Sequence, residues 1–223
     1  MDNKHSAKEI IENSEKQQRV MELSPANTLR KIGFTSGMSF CDIGAGIGLF
    51  TFPAAEISRE SIYAVDILPE MREILRRTRD NSLTTREVLR EKVQVDCENN
   101  LITDFADKKY ENVIIKSSIN EVPDFSIDIA LLCTVVHALD DITEMAEQVR
   151  RILTDTGIIA IIEFHKKETD YGPPVVRRIS QEDLIVEFSP HGFRIHDSFI
   201  LGNNFYCATF QKCEDMTSDE QDR

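Results

Sequence analysis

Phe40-Cys41-Asp42-Ile43-Gly44-Ala45-Gly46-Ile47-Gly48-Leu49-Phe50 leads from an apolar strand into a glycine-rich turn, and Ile62-Tyr63-Ala64-Val65-Asp66 follows about twenty residues on. One acidic residue opens the turn, and a second ends the next strand. Glycine lets backbone approach a ligand where a Cβ would clash, and a carboxylate at the second strand end stands where an α/β unit meets ribose hydroxyls. The pattern reads as a nucleoside-cofactor site. Taken alone, the same residues also make an ordinary strand-to-helix turn with two strand-end caps. The register of Asp66 and the alternation of strand and helix patterns around it favour the site.

Spacing separates two kinds of cofactor. A dinucleotide fingerprint reads G-x-G-x-x-G, with its pyrophosphate on the helix N-terminus. Here the glycines fall as Gly44-x-Gly46-x-Gly48, and Leu49 holds the place of the third dinucleotide glycine. An acidic Asp42 beside the turn repels a pyrophosphate but suits a ligand that carries an ammonium and a sulfonium. The order Asp-x-Gly-x-Gly-x-Gly with a downstream acidic residue resembles the class I S-adenosylmethionine-dependent methyltransferases, in which the turn holds the amino-acid end of the cofactor.

With 223 residues, 41% of them hydrophobic, the chain can build one core of generous size, and a single domain over residues 1–212 is expected. Its 39 acidic residues against 26 basic ones leave a net charge of -13. That field repels phosphate-coated partners and argues against nucleic acid. Cys41, Cys97, Cys133, Cys207 and Cys213 are odd in number, dispersed and without a C-x-x-C pair, so they read as reduced thiols. Met1-Asp2-Asn3-Lys4-His5 lacks an apolar signal core, and no apolar run reaches membrane-spanning length. The expectation is a cytoplasmic protein, monomeric or homodimeric.

Strand patterns occupy Met38–Asp42, Ser61–Asp66, Asn112–Lys116, Ile127–Cys133 and Gly157–Phe164, with helical patterns over Leu49–Ile57, Pro69–Arg79 and Asp141–Leu153. Ile127-Asp128-Ile129-Ala130-Leu131-Leu132 and Ile158-Ile159-Ala160-Ile161-Ile162 suit strands covered on both faces. The fold class is α/β: a Rossmann-like, doubly wound, mostly parallel sheet with helices on both faces. Two N-terminal helices within residues 6–32 precede it, the second opened by Ser24 as cap and Pro25 at the first helical position. Ser180-Gln181-Glu182-Asp183 starts a capped helix to about Ser189, broken at Pro190-His191-Gly192. Phe193–Ile200 and Phe205–Lys212, joined by Gly202-Asn203-Asn204, predict an antiparallel pair at the end of the sheet. The acidic tail, residues 213–223, has the composition of a disordered segment.

The resemblance covers residues 20 to 212. Val122-Pro123-Asp124-Phe125-Ser126-Ile127-Asp128-Ile129-Ala130 is similar to the family's "lP…sfDlv" segment, Arg150-Arg151-Ile152-Leu153-Thr154-Asp155-Thr156-Gly157 to its "R-x-L-k-p-G-G" helix end, and Glu163-Phe164 to its "v-E-F" strand end. The subgroup it most resembles is the small-molecule type 11, which includes ubiquinone and menaquinone biosynthesis enzymes. By that resemblance Asp42, Gly44, Ala45, Gly46 and Ile47 line the methionine end of S-adenosylmethionine. Asp66 binds the ribose diol, Ile67 packs on the adenine, and Cys133 and Thr134 border the sulfonium. Ser118, with Ile119 beside it, stands where the family often has an aspartate for the adenine amino group, and a hydroxyl there brings no charge. Between Asp66 and Ser118 lie about fifty residues where the subgroup more often has about thirty-three. The excess, roughly Thr78–Tyr110, is charge-rich and reads as an extended helix and surface excursion outside cofactor binding, more mobile than the sheet, with a lid or a dimer contact as the alternative.

Methyl transfer from a sulfonium is an in-line displacement that rests on positioning and exclusion of water. A hydroxyl or protonated nitrogen acceptor needs a base, and His137, just beyond a strand's carboxyl end, is the candidate; packing at a helix start is its competing role. Glu163 and His165 fall on opposite faces of a strand with no third partner in register, so no metal is expected. Tyr171-Gly172-Pro173-Pro174-Val175-Val176-Arg177-Arg178 forms a loop over the acceptor side, with Arg177 as a candidate for an anionic acceptor. The reading is therefore a methyltransferase acting on a small-molecule acceptor. A catalytically silent protein that binds the same cofactor, and a dinucleotide-dependent oxidoreductase, are the alternatives.

Overall fold

Phe40–Ile43 form β1, four consecutive buried residues that only a strand covered on both faces accommodates. The computed structural model describes residues 17–80 and 110–213. Around β1 lie β2 (Ile62–Val65), β3 (Val113–Lys116), β4 (Ile127–Cys133) and β5 (Leu153–Phe164), then β6 (Phe193–Leu201) and β7 (Phe205–Lys212), in the order β3-β2-β1-β4-β5-β7-β6. The first five strands are parallel, whereas β7 runs antiparallel to both β5 and β6. The strand order reverses between β1 and β4, the place where open α/β sheets leave a crevice at their carboxyl ends.

Alternate residues of each strand feed two cores. Phe40, Ile129, Leu131, Ala160, Ile162 and Phe164 face one side, with Leu23, Leu29, Phe34, Phe50 and Phe52. Cys41, Ile43, Ala130, Leu132, Ile159 and Ile161 face the other, with Ala146, Val149, Leu184 and Phe188. The first layer is formed by α1 (17–23), α2 (Pro25–Lys31) and α3 (Thr51–Ile57). The second contains α5 (Ile142–Ile152) and α6 (Gln181–Phe188), while α4 (Pro69–Arg79) follows β2 and sends Leu75 into the first core. Each large side chain so buried contributes about 1.5–3 kcal/mol.

Most boundaries agree with the sequence reading to within two residues. Ser180 and Asp183 make the reciprocal capping box of α6, and Asp141 caps α5 by accepting from the Glu144 amide. Two details differ. Ser24 lies in the left-handed region at φ 37° and makes no side-chain cap bond; its amide closes α1 on Val20 while its carbonyl accepts from Thr28 to open α2, so it serves two helices at once. β5 begins at Leu153, paired with Ile127, four residues ahead of Gly157. A register irregularity between Ile127 and Ile129 absorbs the intervening residues.

The Thr78–Tyr110 excursion falls mostly outside the described residues, and both of its ends belong to the core. Thr78 is buried in α4, and the Tyr110 ring packs at 4.9 Å on Phe52. Of the tail only Cys213 is described, its amide donating to the Gly192 carbonyl at 2.8 Å. Among the described residues no helix is long and apolar enough to cross a membrane, and the four cysteines there are free thiols.

Candidate active site

Because β3, β2, β1 and β4 are parallel and in register, their carboxyl ends share one edge. Ile43 pairs with Val65 and Leu132, and Val65 pairs with Lys116. Backbone bonds then tie each following loop to its neighbour. The Gly44 and Ala45 amides both donate to the Val65 carbonyl at 2.8 and 3.0 Å, Asp66 donates to Lys116 at 3.1 Å, and Thr134 donates to Ile162 at 2.7 Å. The sequence-predicted residues at these four strand ends therefore line one rim.

Within the glycine turn the three glycines serve different purposes, and all have positive φ (72°, 55° and 89°). A Cβ on Gly44 would lie 2.5 Å from Val135 Cγ2, and one on Gly48 would lie 2.3 Å from the Phe52 ring. Both are therefore demanded by protein packing. Gly46 faces open space, with no other atom within 4 Å of a Cβ built there. Its amide donates to Asp66 Oδ2 at 2.8 Å, and the Leu68 amide donates to Oδ1 at 2.9 Å. Asp66 is thus an oriented, largely buried carboxylate, and the next residue, Ile67, leaves 80% of its surface exposed.

Asp42 points toward α3, where Thr51 Oγ1 donates to its Oδ2 at 2.6 Å. Burial pushes its carboxyl up to about 6; hydrogen bonds from Thr51 pull it down, and Asp66 adds to the rise. Ser118 caps the short 3-10 turn Ile119–Glu121, its hydroxyl accepting from Asn120 and its amide donating to Glu121. Ile119 is mostly buried in the second core.

On the β4–β5 side, Cys133 ends β4 and Thr134 follows in the left-handed region at φ 56°. Burial drives the Cys133 thiol up to about 12, with the Arg19 guanidinium opposing and Asp42 and Glu163 reinforcing the rise. His137, in the 3-10 turn Val136–Ala138, has Nδ1 2.8 Å from Glu163 Oε2, and its amide donates to Oε1 at 3.2 Å. Glu163 is 1% exposed. A buried carboxylate needs such a partner. Its place inside the apolar run 158–164 is the signal by which sequence could have paired it, but the partner comes from another strand end. His165 lies just past β5, its ring 5.7 Å from Tyr206, and among the described residues no group of three metal-ligating side chains occurs.

The loop after β5 is held by Arg178. Arg178 is buried and donates to the carbonyls of Pro173, His165, Lys167 and Tyr171, whereas Arg177 is exposed. From the opposite side, α1 brings Arg19, whose Nη2 donates to Thr134 Oγ1 at 2.6 Å. Glu22 of α1 accepts from the Asn204 amide and side chain at the β6–β7 turn. No motif in the polar N-terminal stretch pointed to either contact.

A methyltransferase-domain family model matches residues 41–159, the span from β1 to β5 that carries all four strand-end loops. The chain belongs to this methyltransferase family. Its donor is S-adenosylmethionine. Among curated proteins none matches the sequence. Solved structures share the fold. One, a SAM-dependent methyltransferase from Aquifex aeolicus, is 20% identical with a TM-score of 0.69, covering 90% of this methyltransferase and 96% of that chain. A Sulfolobus solfataricus protein assigned to the type 11 methyltransferases is 22% identical with a TM-score of 0.63 over 89% and 98% of the two chains. The [4+2]-cyclase SpnF is 14% identical with the same TM-score, over 89% and 82%. Of the residues described above, Arg19, Glu22, Glu163 and Arg178 all lie outside the family match.

Proposed function

We propose that this methyltransferase methylates a small-molecule acceptor in the crevice at the β1–β4 ends, with His137 as the proton-accepting base. The observation that carries the cofactor half is the Asp66 carboxylate, fixed by the Gly46 and Leu68 amides beside a glycine that opens on free space. S-adenosylmethionine supplies a methyl group on a sulfonium, open to in-line displacement. Each Asp66 oxygen keeps acceptor capacity for a ribose hydroxyl, and exposed Ile67 offers an apolar face to adenine, bordered by Ser118 and Ile119. Asp42, Gly44, Ala45, Gly46 and Ile47 border the amino-acid end, with Cys133 and Thr134 facing the sulfur. This charge layout does not suit a pyrophosphate.

At His137, Nδ1 is engaged by Glu163, and a neutral ring that donates there keeps its lone pair on Nε2. The acceptor's proton goes to that nitrogen as its oxygen or nitrogen becomes methylated. Glu163 acts through His137 as a positioning residue, holding ring and main chain together.

Ligand-dependent melting tests the cofactor half. S-adenosylhomocysteine at about a hundred times its dissociation constant is expected to add roughly 2.7 kcal/mol, with no effect from NADH; the reverse pattern overturns the reading. A screen of metabolites with labelled methyl donor identifies the acceptor. His137→Ala is then expected to slow single turnover about a hundredfold with cofactor affinity kept. A near-normal rate with a flat pH profile in the folded variant eliminates the base.

A further inference from the structure

The glycine turn and His137 belong to different strand ends, and one side chain joins them. Val135 lies between the end of β4 and the 3-10 turn that carries His137, half-buried against Gly44. A Cβ on that glycine would meet Val135 Cγ2 at 2.5 Å and the Val135 Cβ and Cγ1 at 3.7 Å. These are the three nearest atoms beyond the glycine's own chain neighbours. Behind the contact, Gly44 is tied to β2 by its amide bond to the Val65 carbonyl, and Gly46 donates to Asp66 Oδ2. Ahead of it, the Val135 carbonyl accepts from Ala138 at 2.9 Å, Val136 is fully buried, and both the amide and the ring of His137 meet Glu163. Close-packed segments of this kind pass a displacement on instead of absorbing it.

The residue before Val135 is a strained hinge. Thr134 is β-branched, yet its φ is 56°. Such a backbone persists only where its surroundings over-determine it. Here the Thr134 amide donates to the Ile162 carbonyl, its hydroxyl donates to the Cys133 carbonyl and accepts from Arg19, and Val135 rests on Gly44. The first three contacts hold Thr134 itself. The fourth reaches the glycine turn, and it alone ties the hinge to the part of the rim that meets the cofactor.

We propose that Val135 is a positioning residue that couples the glycine turn to His137. The coupling rests on the cofactor and base readings above and states how one acts on the other. A cofactor seated on Asp66 fixes Gly46 and Gly44, Gly44 holds Val135, and the turn then keeps His137 on Glu163. With the site empty, the hinge samples a relaxed form in which the His137 amide leaves Glu163. The cofactor favours the engaged form because only that form gives the glycine turn a packed partner at Val135. His137 is therefore fully engaged only once the cofactor is bound, and the acceptor enters second.

Amide hydrogen exchange followed by NMR on the full chain, free and saturated with S-adenosylhomocysteine, tests the coupling at the His137 amide. The Cys213 amide, bonded to Gly192 at the opposite edge of the sheet, reports opening unrelated to the site. In the wild type the ligand is expected to slow exchange at His137 about tenfold more than at Cys213. In Val135→Ala, calorimetry is expected to find S-adenosylhomocysteine affinity within about twofold of wild type, while the extra slowing at His137 disappears. Val135→Thr keeps the branched shape on Gly44 and restores most of it. Should Val135→Ala not fold, Val135→Leu is the second variant, since it keeps the volume and loses the branch. A wild type that binds the ligand without extra slowing at His137 overturns the coupling, as does a folded Val135→Ala or Val135→Leu that retains it. Equal quickening at His137 and Cys213 together with weakened binding marks a packing residue alone, and overturns it as well. In each of these cases binding by the wild type leaves the cofactor reading standing, whereas a wild type that does not bind S-adenosylhomocysteine brings down both.

Discussion

The two halves of the crevice are built in opposite ways. On the β1–β2 side the side-chain hydrogen bonds of the two aspartates join residues of one short motif region: Thr51 to Asp42 across nine positions, and Gly46 to Asp66 across twenty. On the β4–β5 side the contacts join distant segments: His137 to Glu163 across 26 positions, Arg19 to Thr134 across 115, and Glu22 to Asn204 across 182. In the proposed reading the first half binds the nucleoside and amino acid of the cofactor, and a short local frame suffices. The second, which the same reading gives to the acceptor, draws Arg19, Glu22, Glu163 and Asn204 from outside the 41–159 match. On that reading fold and cofactor are legible in one half, and specificity belongs to the other.

The sharpest way to break that contrast is at Gly48. A Cβ there would lie 2.3 Å from Phe52 and 2.9 Å from Leu75, both fully buried, at φ 89°. Gly48→Ala is expected to cost about 3–4 kcal/mol from strain and overpacking together, read from denaturant melts. Gly46→Ala, with free space around it, should cost only about 1 kcal/mol from its backbone angle. Equal losses at the two positions would mean that the turn is not divided between packing and opening.

Asp42 follows in size. Its folded carboxyl is held up to about 6 against an ordinary 3.8, so the folded state keeps a proton that the unfolded chain releases. This favourable linkage is complete below about pH 4 and is lost as pH rises through about 6, a fall of about 3 kcal/mol. Asp42→Asn has no such titration. The stability difference between wild type and Asp42→Asn, measured from pH 3.5 to 7, should therefore move against the wild type across that window; a constant difference would show that Asp42 is not buried as described.

For Asp66→Ala the expected loss is about 2–3 kcal/mol of S-adenosylhomocysteine affinity, the scale of hydrogen bonds to a charged group, with the fold kept. Calorimetry that finds unchanged affinity in a folded variant would put the ribose elsewhere on the rim.

The smallest effect belongs to the distant half. Glu22→Ala removes hydrogen bonds to Asn204 at a partly buried surface and should lower global stability by about 1 kcal/mol or less. Amide exchange over 17–23 should quicken well before the sheet is affected. Uniform protection in that variant would mean that burial of Leu23 and the Arg19–Thr134 bond seat α1 without Glu22.

The α/β class, the parallel order, the terminal antiparallel pair and the acidic ends of β1 and β2 were legible in the sequence. Each is written in local signals: apolar runs of strand length, glycines forced by backbone angle, and caps spaced three residues apart. Helix α4 was legible to the residue because proline opens it and basic side chains close it. Tertiary structure decided which glycine opens on space and which merely packs, since Gly44 and Gly48 answer to Val135 and Phe52 rather than to their own neighbours. It turned Arg178 inward to the carbonyls of the loop after β5 and left the adjacent Arg177 exposed. It also paired Glu163 with His137 and Arg19 with Thr134. Periodicity records how a segment meets its own next turn, whereas a buried charge takes its partner from whichever strand end the sheet order places beside it.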